Sequence, residues 1–374
     1  MDSLRESSQL HDRARAFVRS FERGEALPES FDLLACDIAR FQAEHIEGFA
    51  RLCMRAGVLP SSFRRASDIP PVPTEVFKLT RVATHPQWRD VATFRTSGTT
   101  QGARGTHAMR DIGSYDAAAL AFGRRWLVRD LSERIPVIVL GPSPVELPDS
   151  SLVHMCERFA RVFGTDAEPR ETFLMSEGVI DLSMFDERVS IALAKETPVL
   201  VLGTSFAFVH LLEALEEASF ELPAGSRVMQ TGGYKGKGRE VPRDVLRREL
   251  ARAFRIDERS VVSEYGMTEL SSQFYERTLF DRDAEPDTYA EPPWARVVPV
   301  DPETLAPVPD GEIGVAKIID LMNVDSAVAI VTEDRVRRVG GESNTAFELL
   351  GRAPGAPPRG CSIGIDELRK RTES

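Results

Sequence analysis

A short apolar run followed by a helical stretch recurs along the middle of this chain. Pro136-Val-Ile-Val-Leu-Gly141 is followed, after a loop, by residues 151–163, whose apolar side chains recur at helical period behind Ser150 or Ser151 as an N-cap. Pro198-Val-Leu-Val-Leu-Gly203 leads in the same way into a helix carrying Phe206, Val209, Leu211, Leu212 and Leu215. Arg227-Val-Met-Gln precedes Thr231-Gly-Gly-Tyr-Lys-Gly-Lys-Gly238 and a charged helix near 241–254, and Ser260-Val-Val-Ser-Glu-Tyr-Gly266 supplies a fourth strand. Strands that are apolar along their length and alternate with helices predict an α/β fold. Its parallel sheet is covered on both faces and joined by right-handed crossovers. Ligands bind such sheets outside the carboxyl ends of the strands. Here those ends carry Gly141-Pro-Ser, Gly203-Thr-Ser, Thr231-Gly-Gly-Tyr and Tyr265-Gly-Met-Thr-Glu269, small and hydroxyl-bearing residues suited to nucleotide contacts.

The flanking segments have a different character. Residues 31–57 place Phe31, Leu34, Ile38, Phe41, Ile46, Phe49, Leu52 and Cys53 on one helical stripe, predicting a packed amphipathic helix broken near Gly48, with Cys36 and Cys53 in the core. Ile69-Pro-Pro-Val-Pro-Thr-Glu-Val-Phe-Lys78 is predicted to run extended as a connection clamped on the next domain, since its prolines forbid a helix. Beyond residue 290, Trp294-Ala-Arg-Val-Val-Pro-Val and Gly311-Glu-Ile-Gly-Val-Ala-Lys-Ile-Ile-Asp320 read as strands with turn residues between them. The division expected from this is an α/β core over 1–290 with its N-terminal helical segment, then a β-rich subdomain over 291–374. That subdomain ends in a proline- and glycine-rich flexible arm carrying Cys361.

Phe94-Arg-Thr-Ser-Gly-Thr-Thr-Gln-Gly-Ala-Arg-Gly-Thr-His107 is the other informative run. Glycine lets backbone N–H groups approach a polyanion and hydroxyls add donors, so it reads either as a phosphate cradle or as an exposed polar loop. It has neither the lysine of a Walker loop nor a dinucleotide fingerprint, which argues against a kinase or GTPase. The net charge of -11 argues against nucleic acid or an anionic membrane as a main partner, while leaving room for a local basic pocket. No signal peptide or apolar run long enough to span a membrane is present, so a cytoplasmic protein is expected. The four cysteines, Cys36, Cys53, Cys156 and Cys361, form no pair at metal-binding spacing, and the histidines no metal motif. His154 and His210 sit in apolar helical stretches as packed residues. Lys78 could point at an anion or stand in solvent.

Three features together resemble the adenylate-forming superfamily of acyl- and aryl-CoA synthetases and luciferases. They are Thr96-Ser97-Gly98-Thr99-Thr100, Gly232-Gly233 and Tyr265-Gly266-Met267-Thr268-Glu269, in the superfamily's order. More narrowly, Ile69-Pro-Pro-Val-Pro-Thr-Glu-Val-Phe-Lys78, Ser263-Glu-Tyr-Gly-Met-Thr-Glu-Leu270 and Arg359-Gly-Cys-Ser362 resemble the acyl-protein synthetase (LuxE) family across almost the whole chain. The resemblance implies the superfamily's large-domain fold, parallel sheets covered by helices, here with a small β-rich C-terminal subdomain. It also implies that ATP and Mg²⁺ take part. Thr96, Ser97, Gly98, Thr99 and Thr100 would hold the β- and γ-phosphates, Thr268 would contact phosphate, and Glu269 would bind Mg²⁺. Gly232, Gly233 and Tyr234 would form the turn against the adenine, with Tyr265 and Gly266 flanking it. Asp334 matches the ribose-binding aspartate, and Arg352 the arginine of the Gly-Arg hinge. Without the resemblance, Glu269 reads as a surface carboxylate and Tyr265 as a half-buried core aromatic.

The activity so implied is conversion of a carboxylic acid, a fatty acid in this family, to an acyl-adenylate. Transfer follows to the Cys361 thiol and onward to a reductase or carrier-protein partner. Arg359 beside Cys361 would favour the thiolate of a thiol whose ordinary pKa is ~8.5. The pattern departs from the family at Gln101, where glycine is usual. The lysine that often follows is missing, leaving Arg104 and His107 as substitutes, and the superfamily's C-terminal domain with a catalytic lysine has no counterpart, so a partner could supply it. Two other readings stay open: an acyl- or aryl-CoA or carrier-protein ligase in which Cys361 is idle, and an inactive scaffold subunit of a reductase complex. Phe206, Phe208, Leu211 and Leu212 read as an acyl tunnel or as core.

Overall fold

The computed structural model describes residues 2–96, 104–165, 168–215, 220–232, 241–339 and 346–352. The chain divides into two compact units, one of residues 1–121, 267–272 and 287–374, the other of residues 122–266 and 273–286.

The first unit opens with α1 (Asp2–Arg23), α2 (Phe31–His45) and α3 (Glu47–Arg55). The stripe over 31–57 is broken at Ile46, not Gly48. Ile46 has an extended backbone (φ -115°, ψ 94°) yet stays buried, and its N–H still donates to the Gln42 carbonyl at 2.7 Å. Cys36 and Cys53 are core residues, and burial pushes both thiols up to about 11. β1 (Val72–Pro73) follows, then α4 (Val76–Leu79). The expected extended run therefore stops at its last proline, Pro73. From Thr74 onward nothing fixes φ or removes an N–H, and a helical turn forms. β2 (Ala92–Arg95) and β3 (Thr106–Met109) make an antiparallel hairpin, and α5 (Gly113–Gly123) comes next.

In chain order the second unit comprises β4 (Val137–Leu140), α6 (Ser151–Phe163), α7 (Pro169–Thr172), a hairpin of β5 (Met175–Ser176) and β6 (Val179–Ile180), and α8 (Leu182–Ala194). It continues with β7 (Leu200–Thr204), α9 (Ser205–Leu215), β8 (Arg227–Thr231), α10 (Arg243–Phe254), β9 (Val261–Tyr265) and β10 (Phe274–Glu276). β4, β7, β8 and β9 lie side by side and parallel, as the alternation predicted, and β10 adds an antiparallel strand to β9. Ser150 caps α6 by accepting from the Val153 N–H at 3.3 Å. The four parallel strands are buried almost throughout, and Ile138, Val201, Val228 and Val261 join Phe185, Phe208, Leu211 and Phe254 in one core. Phe208 and Leu211 are thus core residues, with Leu212 packed at the margin and Phe206 edge-on against His210.

The chain then returns to the first unit as β11 (Thr288–Ala290), β12 (Ala295–Val300), β13 (Ile313–Asp320), β14 (Ala329–Val339) and β15 (Ala346–Arg352). These pair antiparallel in the order β12-β13-β14-β15-β11, which bears out the β-rich reading, and β1 adds in parallel to β14 at Val72↔Ile330. Lys317 on β13 is buried and donates to the carbonyls of Ser67 and Ile69 at 2.9 and 2.7 Å, so the proline segment is clamped to this sheet. Burial lowers its pKa to about 8. Ser7 and His11 of α1 bond Asp325 at 2.5 and 2.9 Å, tying the first helix to the loop between β13 and β14. No described helix is long and apolar enough to cross a membrane.

Candidate active site

In the second unit the predicted residues stand at the carboxyl edge of the parallel strands. Thr204, Thr231 and Glu264 are neighbours in register across β7, β8 and β9. The scaffold uses several of the hydroxyls in this region. Thr204 Oγ1 accepts from the Ala207 N–H at 3.1 Å and caps α9, and Ser205 Oγ donates to the Gly232 carbonyl at 3.0 Å. Gln230 Nε2 donates to Ser263 Oγ at 3.1 Å across the same two central strands. Gly232 has φ +72° and open space where a side chain would stand, so glycine is favoured there by backbone conformation. Tyr265 is buried, with its ring 6.0 Å from that of Phe274.

Glu264 was not anticipated as a site residue. Its carboxyl accepts from the Thr231 hydroxyl and is buried, and burial, only partly opposed by that hydrogen bond, raises its pKa to about 7. The hints in the sequence are a carboxylate inside the Val261–Tyr265 strand and its place within the Ser263–Leu270 motif.

In the first unit, Thr96 and Gly105 extend the β2–β3 hairpin. Thr96 N–H donates to the Gly105 carbonyl at 2.9 Å, and Gly105 N–H donates to Thr96 Oγ1 at 2.8 Å. Arg104 Nε donates to the Thr96 carbonyl at 2.7 Å, bracing the hairpin end. The Lys78 stem runs beside the same end, its Cγ 3.4 Å from where a Cβ on Gly105 would lie, with the side chain exposed. His107 does not stand in for the missing lysine. It is 2 % exposed, its Nδ1–H donates to the Thr268 carbonyl at 2.8 Å, and burial lowers its pKa to about 4, which keeps it neutral.

Thr268 and Glu269 occupy a turn closed by the Leu270 N–H on the Met267 carbonyl at 3.1 Å. Glu269 is only 6 % exposed, so it is not a surface carboxylate. A second set of residues, unanticipated in the sequence, holds this turn. Asn323 Nδ2 donates to the Glu269 carbonyl at 2.9 Å, and Asp320 accepts from the Ser271 N–H at 2.9 Å and the Ser272 hydroxyl at 2.7 Å. Gln42 of α2 in turn donates to the carbonyls of Asn323 and Val324 at 2.7 and 2.9 Å. Burial raises the Asp320 pKa against these hydrogen bonds. Polar residues interrupting the apolar run over 318–331 were the available signal.

Asp334 and Arg352 come together as direct partners across β14 and β15, with Arg352 Nε 3.9 Å from Asp334 Oδ1. Ser97, Gly98, Thr99, Thr100, Gly233, Tyr234 and Cys361 lie outside the described residues. Mg²⁺ needs one or two carboxylates beside phosphate oxygens, and Glu269, on a turn whose backbone is held by Asn323, brings one beside Thr268. Among the described residues, one group of side chains is spaced to share a metal, Glu6, Glu44 and His45, and it is exposed.

A model of the acyl-protein synthetase (LuxE) family matches residues 3–369. The chain belongs to this family. It is accordingly a ligase of the adenylate-forming superfamily, as the ordered motifs implied. Among curated proteins it is similar to the long-chain-fatty-acid–luciferin-component ligase of Aliivibrio fischeri, 23% identical over 346 residues, covering 89% of this chain and 87% of that one. It is also similar to the ligase of the same description from Vibrio harveyi, 22% identical over 331 residues and covering 86% and 83%. Among solved structures, 2-hydroxyisobutyryl-CoA ligase with 2-HIB-AMP and CoA in the thioesterification state superposes with a TM-score of 0.61 at 16% identity over 91% of this chain and 68% of that one. An open conformation of the same ligase gives 0.59 at 15% over 84% and 74%. At that identity the likeness establishes the fold, an adenylate-forming α/β architecture with a mixed sheet.

Proposed function

We propose that this protein activates a fatty acid with Mg-ATP and carries the acyl group on Cys361 before handing it to a reductase or carrier-protein partner. The observation that carries the reading is the edge formed by Thr204, Thr231-Gly232 and Glu264-Tyr265-Gly266. It is a run of small and hydroxyl residues at the carboxyl ends of adjacent parallel strands, where α/β sheets bind nucleotides. The two long-chain fatty-acid ligases among its relatives support the substrate class.

In the first step a carboxylate oxygen attacks the α-phosphorus of ATP, the bond to the β,γ-pyrophosphate breaks, and an acyl-adenylate forms. Gly232, Gly233 and Tyr234 line the base, Tyr265 and Gly266 flank it, Asp334 takes the ribose and Arg352 serves as hinge. Thr96, Ser97, Gly98, Thr99, Thr100 and Thr268 hold phosphate oxygens. Glu269 would hold Mg²⁺, and the ion when bound would supply charge neutralisation for the pyrophosphate. In the second step the Cys361 thiolate attacks the acyl carbon and AMP departs, leaving a thioester. A cytoplasmic setting suits the free, buried thiols of Cys36, Cys53 and Cys156.

The test is pyrophosphate release with Mg-ATP across short, medium and long fatty acids and aryl acids, read beside the intact mass of the protein. Release with a gain of one acyl group mapping to Cys361 is the expected result. Release without the gain, but with CoA acylated, points to a CoA ligase. No release with any acid, while a reductase partner is still bound, points to a scaffold.

A further inference from the structure

Glu264 stands one residue before the Tyr265-Gly266 pair, yet its side chain turns back into the protein and meets both strand ends at once. Thr231 Oγ1 donates to Oε2, which joins Glu264 to the last residue of β8. Its other oxygen, Oε1, lies so close to the Gly266 Cα that a Cβ there would overlap it, with Cδ only 3.4 Å from the same point. Gly266 carries no left-handed φ, so glycine is needed at this position because the carboxyl fills the space of a side chain. The carboxyl is thus wedged between Thr231 on one side and Gly266 on the other, all within the second unit. Cys156 of α6 is the other titratable group whose charge is felt with it, and burial pushes that thiol up, so it stays a neutral neighbour.

We propose that Glu264 is a positioning residue of the nucleotide site, its carboxyl group bridging the ends of β8 and β9 so that the Gly232 turn and the Tyr265-Gly266 pair meet the base in fixed relation. This rests on the ATP reading above. The bridge needs an acceptor toward Thr231 and a compact planar group against Gly266, which an uncharged carboxyl or an amide equally supplies. The raised pKa agrees with an uncharged carboxyl near neutral pH.

The full-length protein and the variants Glu264→Gln, Glu264→Ala, Thr231→Val, Gly266→Ala and Glu264→Ala/Gly266→Ala are titrated with Mg-ATP by calorimetry, and their thermal midpoints are recorded. Glu264→Gln is expected to bind ATP within about threefold of wild type. Glu264→Ala and the near-isosteric Thr231→Val are each expected to weaken binding about tenfold or more. Gly266→Ala is expected to weaken it also, and the double variant to be no worse than Glu264→Ala alone, because the clash disappears with the carboxyl. Wild-type affinity in Glu264→Ala and Thr231→Val overturns the positioning role, as does additive loss in the double variant. A wild-type protein that binds no Mg-ATP overturns the nucleotide reading itself, and the positioning role with it.

Discussion

His107 Nδ1 lies 2.8 Å from the carbonyl oxygen of Thr268. The histidine thus grips the backbone of the turn that carries Thr268 and Glu269, and does so from a buried site where it stays neutral. His107→Ala is expected to lower acid-dependent pyrophosphate release about tenfold or more, because a misplaced turn misaligns the reactants. A steady-state assay checks this, with circular dichroism showing that the fold survives.

The same residue sets a pH dependence. Its folded pKa of about 4 lies below its unfolded value, so the unfolded chain takes up a proton that the folded chain refuses. The stability it contributes is complete above the unfolded pKa of about 6.5 and is lost as pH falls toward about 4, on the order of 3 kcal/mol in all. Urea midpoints measured from pH 7 to pH 4 are expected to fall less steeply in His107→Gln than in wild type.

Asp320 accepts from the Ser271 N–H, the Ser272 hydroxyl and the Met322 N–H in a fully buried setting. Asp320→Ala leaves these donors without a partner and is expected to cost about 3 kcal/mol or more. Asp320→Asn, which keeps one acceptor, is expected to cost less. Urea unfolding of the two variants gives the comparison.

Arg247 Nη2 and Glu276 Oε1 form a buried pair at 2.6 Å, and Glu276 Oε2 also accepts from the Ser263 N–H at 2.6 Å. Removing the cation alone, as in Arg247→Leu, leaves a buried carboxylate uncompensated and is expected to cost about 3–5 kcal/mol. Arg247→Met with Glu276→Gln removes both charges yet keeps an acceptor for Ser263, so its loss is expected to be clearly smaller, as read by the same unfolding titration.

Cys361→Ser is expected to abolish stable acylation while adenylate formation persists. Intact mass after incubation with Mg-ATP and a fatty acid, beside acid-dependent ATP–pyrophosphate exchange, reads both quantities. Wild-type acylation of the serine variant would show that the acyl group resides elsewhere.

Those parts of the fold whose cause is local were legible in the order of the amino acids. Val137–Leu140 and Leu200–Thr204 announce a buried parallel sheet because burial on both faces makes a strand apolar almost throughout. Ser150 announces its helix because an N-cap bond spans three residues. The ordered motifs likewise carried the family. The polar partnerships that hold the motifs depend instead on long-range packing. Glu264 meets Thr231 from 33 positions away, His107 meets Thr268 from 161 and Ser7 meets Asp325 from 318. The union of the N-terminal helices with the strands after residue 287 belongs to the same class. A buried polar side chain interrupts an apolar pattern without saying what satisfies it, because its hydrogen-bond partner is set by how distant segments pack.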